Sequence, residues 1–174
     1  MTDVRTPIPP LFLREAELRR GIELLFFVNR DFDRDADALL SAHDLGRAHH
    51  RVLHFVGRQP GLTVSELLSF LRVTKQSLSR VLKDLLGAEY VRQTVGEVDR
   101  RQRCLRLTEK GHGLERQLSA IQQKRIAAAY RAAGPEAVAG FWTVLMHMLD
   151  EPDRLLVQAF VDDARAVGSF AIDG

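Results

Sequence analysis

The chain has 174 residues, of which 45% are hydrophobic and 28% are charged, the balance of a soluble globular protein. Its single cysteine, Cys104, excludes an internal disulfide framework and a multi-cysteine zinc site. No apolar run reaches the ~18–20 residues that span a bilayer, and no apolar signal core follows Met1. The net charge is only +2, and we expect a cytoplasmic protein without membrane association.

The first half of the chain predicts a proline-rich arm followed by two helices. Residues 1–10 are expected to be extended, and helical spacing of apolar residues predicts a long helix over residues 11–35. The acidic stretch 31–37 is expected to be solvated. A second helix is predicted over residues 47–57, before a turn at residues 59–61.

The middle of the chain predicts a helix, a tight turn, a second helix and a β-hairpin. Thr63 and Glu66 form a capping box for a short helix that ends near Arg72. Thr74 caps the next helix, for which Gly87 is the natural stop. Two β-prone stretches, residues 90–95 and 103–108, flank a turn-rich tip and predict the hairpin.

The last third of the chain predicts helices. One runs from Thr108 to about Ala133, and the next starts at Gly134 with proline at its first position. Pro152 interrupts the pattern, and residues 153–174 form a C-terminal extension with one more helix and a frayed end. The predicted fold class is mostly α with a small β-hairpin wing.

The helix after Thr74 carries a polar face of the kind that reads DNA. At 100° per residue the outer side chains are opposite a leucine-rich stripe, and no carboxylate occurs before Asp84 at the edge. Amide, hydroxyl and guanidinium groups can read base edges, and a helix N-terminus favours phosphate. An ordinary amphipathic surface helix would show the same pattern. The outer face comprises Gln76, Ser79, Arg80 and Lys83, and the N-terminal group comprises Thr74, Lys75 and Ser77.

The hairpin tip and the charge distribution also indicate a nucleic-acid surface. Residues 1–71 hold 9 bases against 10 acids, residues 72–131 hold 14 against 6, and residues 132–174 hold 2 against 7. A basic centre indicates a local nucleic-acid surface, although a solvated basic face would also give it. Arginines on a projecting loop can enter the minor groove, although a solvated polar turn is the alternative. The candidate wing residues are Asp99, Arg100, Arg101 and Arg103.

These residues resemble the MarR family of bacterial winged-helix regulators. Residues 62–68 followed by residues 73–85 look like the family's helix-turn-helix, and Tyr90-Val91 is like the strand that opens its wing. Asp99-Arg-Arg101 followed by Leu107-Thr-Glu-Lys-Gly111 is similar to the family's wing signature, Asp-x-Arg and then Leu-Thr-x-x-Gly. The resemblance covers about residues 11–150.

The resemblance implies a homodimeric transcription regulator, in most cases a repressor, that binds a palindromic operator in double-stranded DNA. It places the winged helix-turn-helix at about residues 47–108 and the dimerisation helices at residues 11–35 and 109–152. It makes Arg101 the minor-groove arginine and Asp99 the residue that orients it. Two-fold symmetry would set the two recognition helices ~34 Å apart.

The resemblance also implies a small aromatic or phenolic effector that releases DNA. The candidate pocket residues are Phe27, Arg47, His50 and His54. His50 and His54 are four residues apart and could bind zinc together with His43 or a carboxylate. Surface or interface histidines explain them as well, so no metal is assigned.

No enzyme motif occurs, so we expect a non-enzymatic protein without a cofactor. The alternative function is a winged-helix protein-interaction module without DNA binding. Such a module should expose apolar residues on its recognition face.

Overall fold

The computed structural model describes residues 10–96 and 100–168, with side chains up to residue 163. Residues 1–9 of the predicted N-terminal arm (residues 1–10), the wing-tip residue Asp99 and residues 169–174 of the predicted frayed end lie outside the described residues.

The described elements are helical except for one antiparallel hairpin, which confirms the predicted fold class. A short 3₁₀ helix (Leu11–Leu13) precedes the first long helix. The elements in chain order are α1 (Glu15–Ser41), α2 (Arg47–Arg58), α3 (Val64–Leu71), α4 (Lys75–Gly87), β1 (Val91–Val95), β2 (Arg103–Leu107), α5 (Glu109–Ala133), α6 (Pro135–Met148) and α7 (Glu151–Gly168). None of the helices in the described ranges combines the length and apolarity that a membrane crossing requires.

One apolar core joins the C-terminal end of α1, helices α2, α3 and α4, the hairpin and the first half of α5. Its most buried side chains come from elements that are far apart in the sequence. Burial of their apolar surface therefore holds these elements together as one winged module. The most buried side chains include Leu53, Val56, Leu62, Leu67, Leu78, Leu85, Leu105 and Leu118.

The helix-turn-helix forms as the capping signals predict. The Thr63 backbone N–H donates to Glu66 Oε2 at 2.8 Å, and the Glu66 backbone N–H donates to Thr63 Oγ1 at 3.2 Å. Helix α3 ends at Arg72, whose φ of 49° lies in the left-handed region. Because a left-handed residue reverses the chain without a long loop, α4 begins three residues later, after its cap Thr74.

The wing makes a further backbone bridge that the sequence did not predict, to the segment before α3. Strands β1 and β2 pair with Val91 opposite Leu107 and Val95 opposite Arg103. On the other edge of β2, the Leu105 N–H donates to Leu62 O at 2.9 Å, and Leu105 O accepts from the Gly61 N–H at 2.8 Å. The segment before α3 therefore ties the helix-turn-helix to the wing.

Helix α1 continues through the acidic stretch, so its predicted end at residue 35 and its predicted solvation are both wrong. Ala36 and Leu40 are 1% exposed, and the aspartates of the stretch, Asp31, Asp33, Asp35 and Asp37, are half-buried. Arg47 of α2 donates to Asp37 Oδ2 at 2.7 Å, and Arg125 of α5 donates to Asp35. The acidic side chains are paired across helices because the buried alanine and leucine hold this end of α1 against α2 and α5.

Acid is expected to weaken this contact between helices. Hydrogen bonds from Arg125 and Arg47 hold the pKa values of Asp35 and Asp37 below their usual range. Their stabilisation is therefore fully present above the ordinary carboxyl pKa of about 4 and is lost as the pH falls through the lower folded values. Urea unfolding from pH 6 down to pH 2 should show the stability of the native chain falling more steeply than that of Asp35→Asn/Asp37→Asn. Parallel curves would contradict it.

Candidate nucleic-acid interface

Helix α4 has one buried face and one exposed polar face, as predicted. Leu78, Leu82 and Leu85 are buried against the core. The four outer side chains, Gln76, Ser79, Arg80 and Lys83, are all exposed. The structure therefore places amide, hydroxyl and cationic groups together on one helix surface, where they can reach the edges of base pairs.

The N-terminus of α4 is organised by its own hydroxyl groups. Thr74 Oγ1 accepts from the Ser77 backbone N–H at 3.1 Å and is 2.9 Å from Ser77 Oγ. Lys75 lies exposed on the same first turn. Because a helix N-terminus carries a positive partial charge, this turn favours a phosphate group.

An open cleft of about 710 Å³ runs between α3, α4 and β1. Lys75, Ser79 and Lys83 line one wall of the cleft. Ser65 of α3 and Gln93 of β1 also line it. These two residues did not appear among the sequence candidates, because only the packing of α3 and the wing around α4 brings them to the recognition helix.

The one carboxylate at the edge of α4 is held by a neighbouring helix. Asp84 Oδ2 lies 3.2 Å from His49 Nε2 of α2. His49 Nδ1 in turn accepts from the Gly46 backbone N–H at 3.1 Å. The acidic group is thus engaged by α2 rather than by the basic residues of the outer face.

The described part of the wing presents exposed arginines. Arg100, Arg101 and Arg103 are exposed, and Arg103 Nη1 donates to the Arg100 carbonyl oxygen at 3.1 Å. Arg103 therefore helps to close the wing turn on which Arg100 and Arg101 are carried.

The four candidate effector residues are not brought into one pocket. Phe27 lines an apolar cavity of about 430 Å³ between α1, α5 and α6, whereas His54 lines a separate cavity of about 370 Å³ along α5. Arg47 is engaged by Asp33 and Asp37 of α1. His50 is buried.

The histidines of this region lie in different environments: His43 is exposed, His50 is buried and His54 is half-buried. Burial lowers the pKa of both His50 and His54 below the usual histidine range. His54 Nδ1 is buried without a hydrogen-bond partner, 3.9 Å from Glu115 Oε1, and His43 Nδ1 lies 2.9 Å from the Tyr90 hydroxyl. Among the described residues, no three acidic, histidine or cysteine side chains form a group that could hold a metal ion.

Large apolar side chains are exposed on α1 and α6 of the single chain. Phe26 is 72% exposed, Ile22 is 55% exposed and Trp142 is 45% exposed. Apolar surface of this extent on a helix indicates an interaction site. The exposed apolar faces comprise Leu18, Ile22, Leu24, Leu25, Phe26, Phe27 and Val28 on α1 and Phe141, Trp142, Val144, Leu145 and Met148 on α6.

This chain is similar to a family model and to a transcription regulator of known sequence. A family model described as MarR family matches residues 43–102. The HTH-type transcriptional regulator PetP of Rhodobacter capsulatus is 55% identical over 152 residues, which cover 87% of this chain and 92% of PetP.

Solved structures share the fold. The crystal structure of Streptococcus pneumoniae FabT in complex with DNA matches with a TM-score of 0.67 and 21% identity, over 75% of this chain and 94% of that one. A cysteine-to-serine mutant of MarR from E. coli, complexed with operator DNA, matches with a TM-score of 0.62 and 24% identity, over 82% of this chain and 100% of that one.

Proposed function

Because this chain belongs to the MarR family of transcription regulators, we propose that it is a homodimer that binds a palindromic operator in double-stranded DNA and represses transcription. The observation that carries the proposal is the exposed polar face of α4, with its cations and hydrogen-bonding groups beside one open cleft. The fold is shared with solved relatives that hold DNA, which supports the same assignment. The family consists of non-enzymatic regulators.

In this proposal α4 enters the major groove. Arg80 suits bidentate pairing with guanine, and Gln76 suits adenine. Lys75 and Lys83 supply cations for phosphates, and Thr74, Ser77 and Ser79 supply hydroxyl groups at the same helix surface. The contacts of Lys75 and Lys83 are independent of sequence, so specificity falls mainly on Arg80 and Gln76.

The wing contributes a second contact in the minor groove. Arg101 and Arg100 lie exposed at the turn that Arg103 closes, and a narrow minor groove attracts arginine through its enhanced negative potential. By the family resemblance Arg101 is the inserted residue and Asp99 orients it. This part of the proposal gains further support from the net positive charge of residues 72–131.

A second copy of this chain is the partner that we propose for the exposed apolar faces. Phe26 of α1 and Trp142 of α6 would be costly to leave in water, and neither side chain belongs to the buried core of the single chain. A symmetric dimer buries the same faces on both protomers and presents two copies of α4 to two half-sites ~34 Å apart.

We also propose, from the family resemblance, that a small aromatic or phenolic effector releases the DNA. The cavity beside Phe27 has a volume suited to a small ligand and is lined by the rings of Tyr130 and Phe141. Arg47 is paired with aspartates of α1, and His50 is buried. Of these candidates and Phe27, only Phe27 therefore remains in the proposed pocket, together with residues of α5 and α6.

Selection of bound fragments from a random duplex pool tests the DNA-binding proposal. The recovered duplex should bind with a steep dependence on salt concentration, because phosphate contacts release counterions. The same assay with phenol and benzoate as probes tests effector release. Absence of duplex binding at low salt would instead favour a protein-interaction module, although the outer face of α4 carries none of the apolar residues that such a module should expose.

Arg101→Ala is expected to weaken binding of the selected duplex by about 1–3 kcal/mol while leaving the dimer folded. The loss follows from removal of a guanidinium from the minor groove. Mobility shift with the selected duplex measures the affinity, and thermal unfolding checks the fold. Arg131→Ala removes the same charge from the last turn of α5 and serves as the control. Equal affinities for the two variants would mean that the wing is wrongly assigned.

A further inference from the structure

Helix α7 packs its aromatic side chain against the helix-turn-helix. The Phe160 ring lies 5.3 Å from the Phe55 ring of α2 and 5.0 Å from the Phe70 ring of α3, measured between centroids. Phe55 and Phe70 are themselves stacked, with centroids 5.4 Å apart. One residue of the C-terminal extension therefore completes an aromatic cluster on the two helices that support α4.

The start of α7 holds the turn between α3 and α4. Arg72 Nη1 lies 2.9 Å from Asp150 Oδ2 and 3.0 Å from Asp153 Oδ2. Arg72 has a left-handed backbone, which costs a residue with a side chain about 1 kcal/mol relative to the ordinary helical region. Glycine would adopt this left-handed backbone at lower cost, yet the turn carries an arginine. Two carboxylates at the start of the C-terminal segment neutralise the charge of that arginine.

The corner between α6 and α7 is itself fixed by hydrogen bonds. Arg154 of α7 donates from Nε to the Leu149 carbonyl oxygen at 3.2 Å and from Nη2 to the His147 carbonyl oxygen at 3.1 Å. Helix α6 bears the apolar face that we assign to the partner chain. A continuous series of contacts therefore runs from the dimer face, through this corner, to the turn before the recognition helix.

We propose that α7 is a brace that couples the dimerisation helices to the helix-turn-helix, with Arg72 as a positioning residue rather than a DNA contact. This inference rests on the proposed function, because the brace sets the orientation in which α4 meets its half-site. If Arg72 is held in place, the adjacent helix α4 is held in one orientation. The orientation of α4 decides how well its side chains read base edges. Loss of the brace should therefore reduce discrimination between sequences more than it reduces binding to any duplex.

Two variants remove the brace by different routes. Asp150→Asn/Asp153→Asn removes both carboxylates from Arg72, and Phe160→Ala removes the ring from the aromatic cluster. We expect each to lower the preference for the selected duplex over a scrambled duplex by about 2- to 30-fold. Fluorescence anisotropy with both duplexes measures the preference, which is the ratio of the two affinities. A change in net charge affects both affinities alike, so it cancels in the ratio.

Matched controls lie on the same helix. Glu151→Gln/Asp162→Asn removes two negative charges elsewhere on α7, and Leu155→Ala shortens a side chain that is 83% exposed. Both should leave the preference within about twofold of the native chain, a change under ~0.5 kcal/mol.

Amide hydrogen exchange of residues 71–76, without DNA, provides a readout independent of the proposed function. Faster exchange in the two brace variants, with slower exchange in the controls and the native chain, is the expected result. Unchanged exchange, or faster exchange with an unchanged preference, would overturn the brace. A higher affinity of Asp150→Asn/Asp153→Asn without loss of preference would overturn it too, because the aspartates would then compete with DNA phosphates for Arg72. If the native chain binds no duplex, the proposed function fails, and the exchange rates alone decide whether α7 holds the turn.

Discussion

Ile22→Asp/Leu25→Asp is expected to separate the protein into monomers and to weaken binding of the palindromic duplex by about 10²- to 10⁴-fold. Both residues lie on the exposed apolar face of α1. Placing carboxylates there would bury unpaired charges if the two copies associated, which costs several kcal/mol per ion. A monomer engages one half-site and loses the high effective concentration with which the second half-site is bound. Sedimentation velocity measures the assembly state, and mobility shift measures the affinity.

The control for this prediction lies on the same helix. Arg20→Asp changes the net charge by the same two units at a residue whose salt bridge to Glu17 is solvent-exposed. By helical periodicity Arg20 is on the other side of α1 from Ile22 and Leu25. It should leave the dimer intact. Monomers from Arg20→Asp, or dimers from Ile22→Asp/Leu25→Asp, would place the interface elsewhere.

Gly111→Ala is expected to destabilise the fold by about 3 kcal/mol or more, at the top of the range for overpacking. A Cβ at this position would lie 2.0 Å from the Tyr90 carbonyl oxygen and 3.3 Å from Leu107 Cβ. The oxygen belongs to the backbone and accepts from the Thr108 N–H at 3.1 Å, so it cannot move without breaking the junction of the wing with α5. Helix α5 would have to lift away from the hairpin. Urea unfolding followed by circular dichroism measures the loss.

Gly113→Ala is the matched control, two residues further along α5. A Cβ there meets nothing within 4 Å, and Gly113 lies within the helix without a positive φ. Because alanine favours the helix over glycine, this change is expected to stabilise the protein by up to about 1 kcal/mol. A similar change of stability in both variants would mean that the close approach to Tyr90 does not constrain Gly111.

The close approach at Gly111 also explains why this glycine follows the threonine cap in the motif at residues 107–111. Leu107-Thr-Glu-Lys-Gly111 is recognisable from spacing and residue type. The structure gives the physical reason: Thr108 caps α5 through the Gly111 N–H at 3.0 Å, and the glycine lets the helix approach the Tyr90 backbone just before β1. Cap and glycine together set the angle between the wing and α5.

Local signals were sufficient for the winged module. The capping residues Thr63, Thr74 and Thr108 begin their helices where the sequence predicts, because a cap acts within one turn of chain. The polar face of α4 was equally predictable, since helical periodicity alone separates Gln76 and Arg80 from the buried leucines.

Contacts between distant residues were not predictable in the same way. The acidic stretch of α1 appears in sequence as a solvated segment, but Arg47 and Arg125 meet it only after α2 and α5 have packed against α1. For the same reason, the sequence could not show that Arg47, His50 and His54 lie outside the cavity that Phe27 lines in the single chain. Which face of a helix is covered depends on its neighbours, and the sequence of that helix does not contain them.

The sequence by itself determined the order of elements, the recognition face and the family of this protein, because these depend on short-range periodicity, caps and turn residues. The tertiary structure alone decided which carboxylates pair with which arginines, how the segment before α3 joins the wing, and where the C-terminal extension packs. Arg72 is the clearest case: it lies 78 residues before its partner Asp150, and a pairing over that separation is selected by packing and charge in the folded chain.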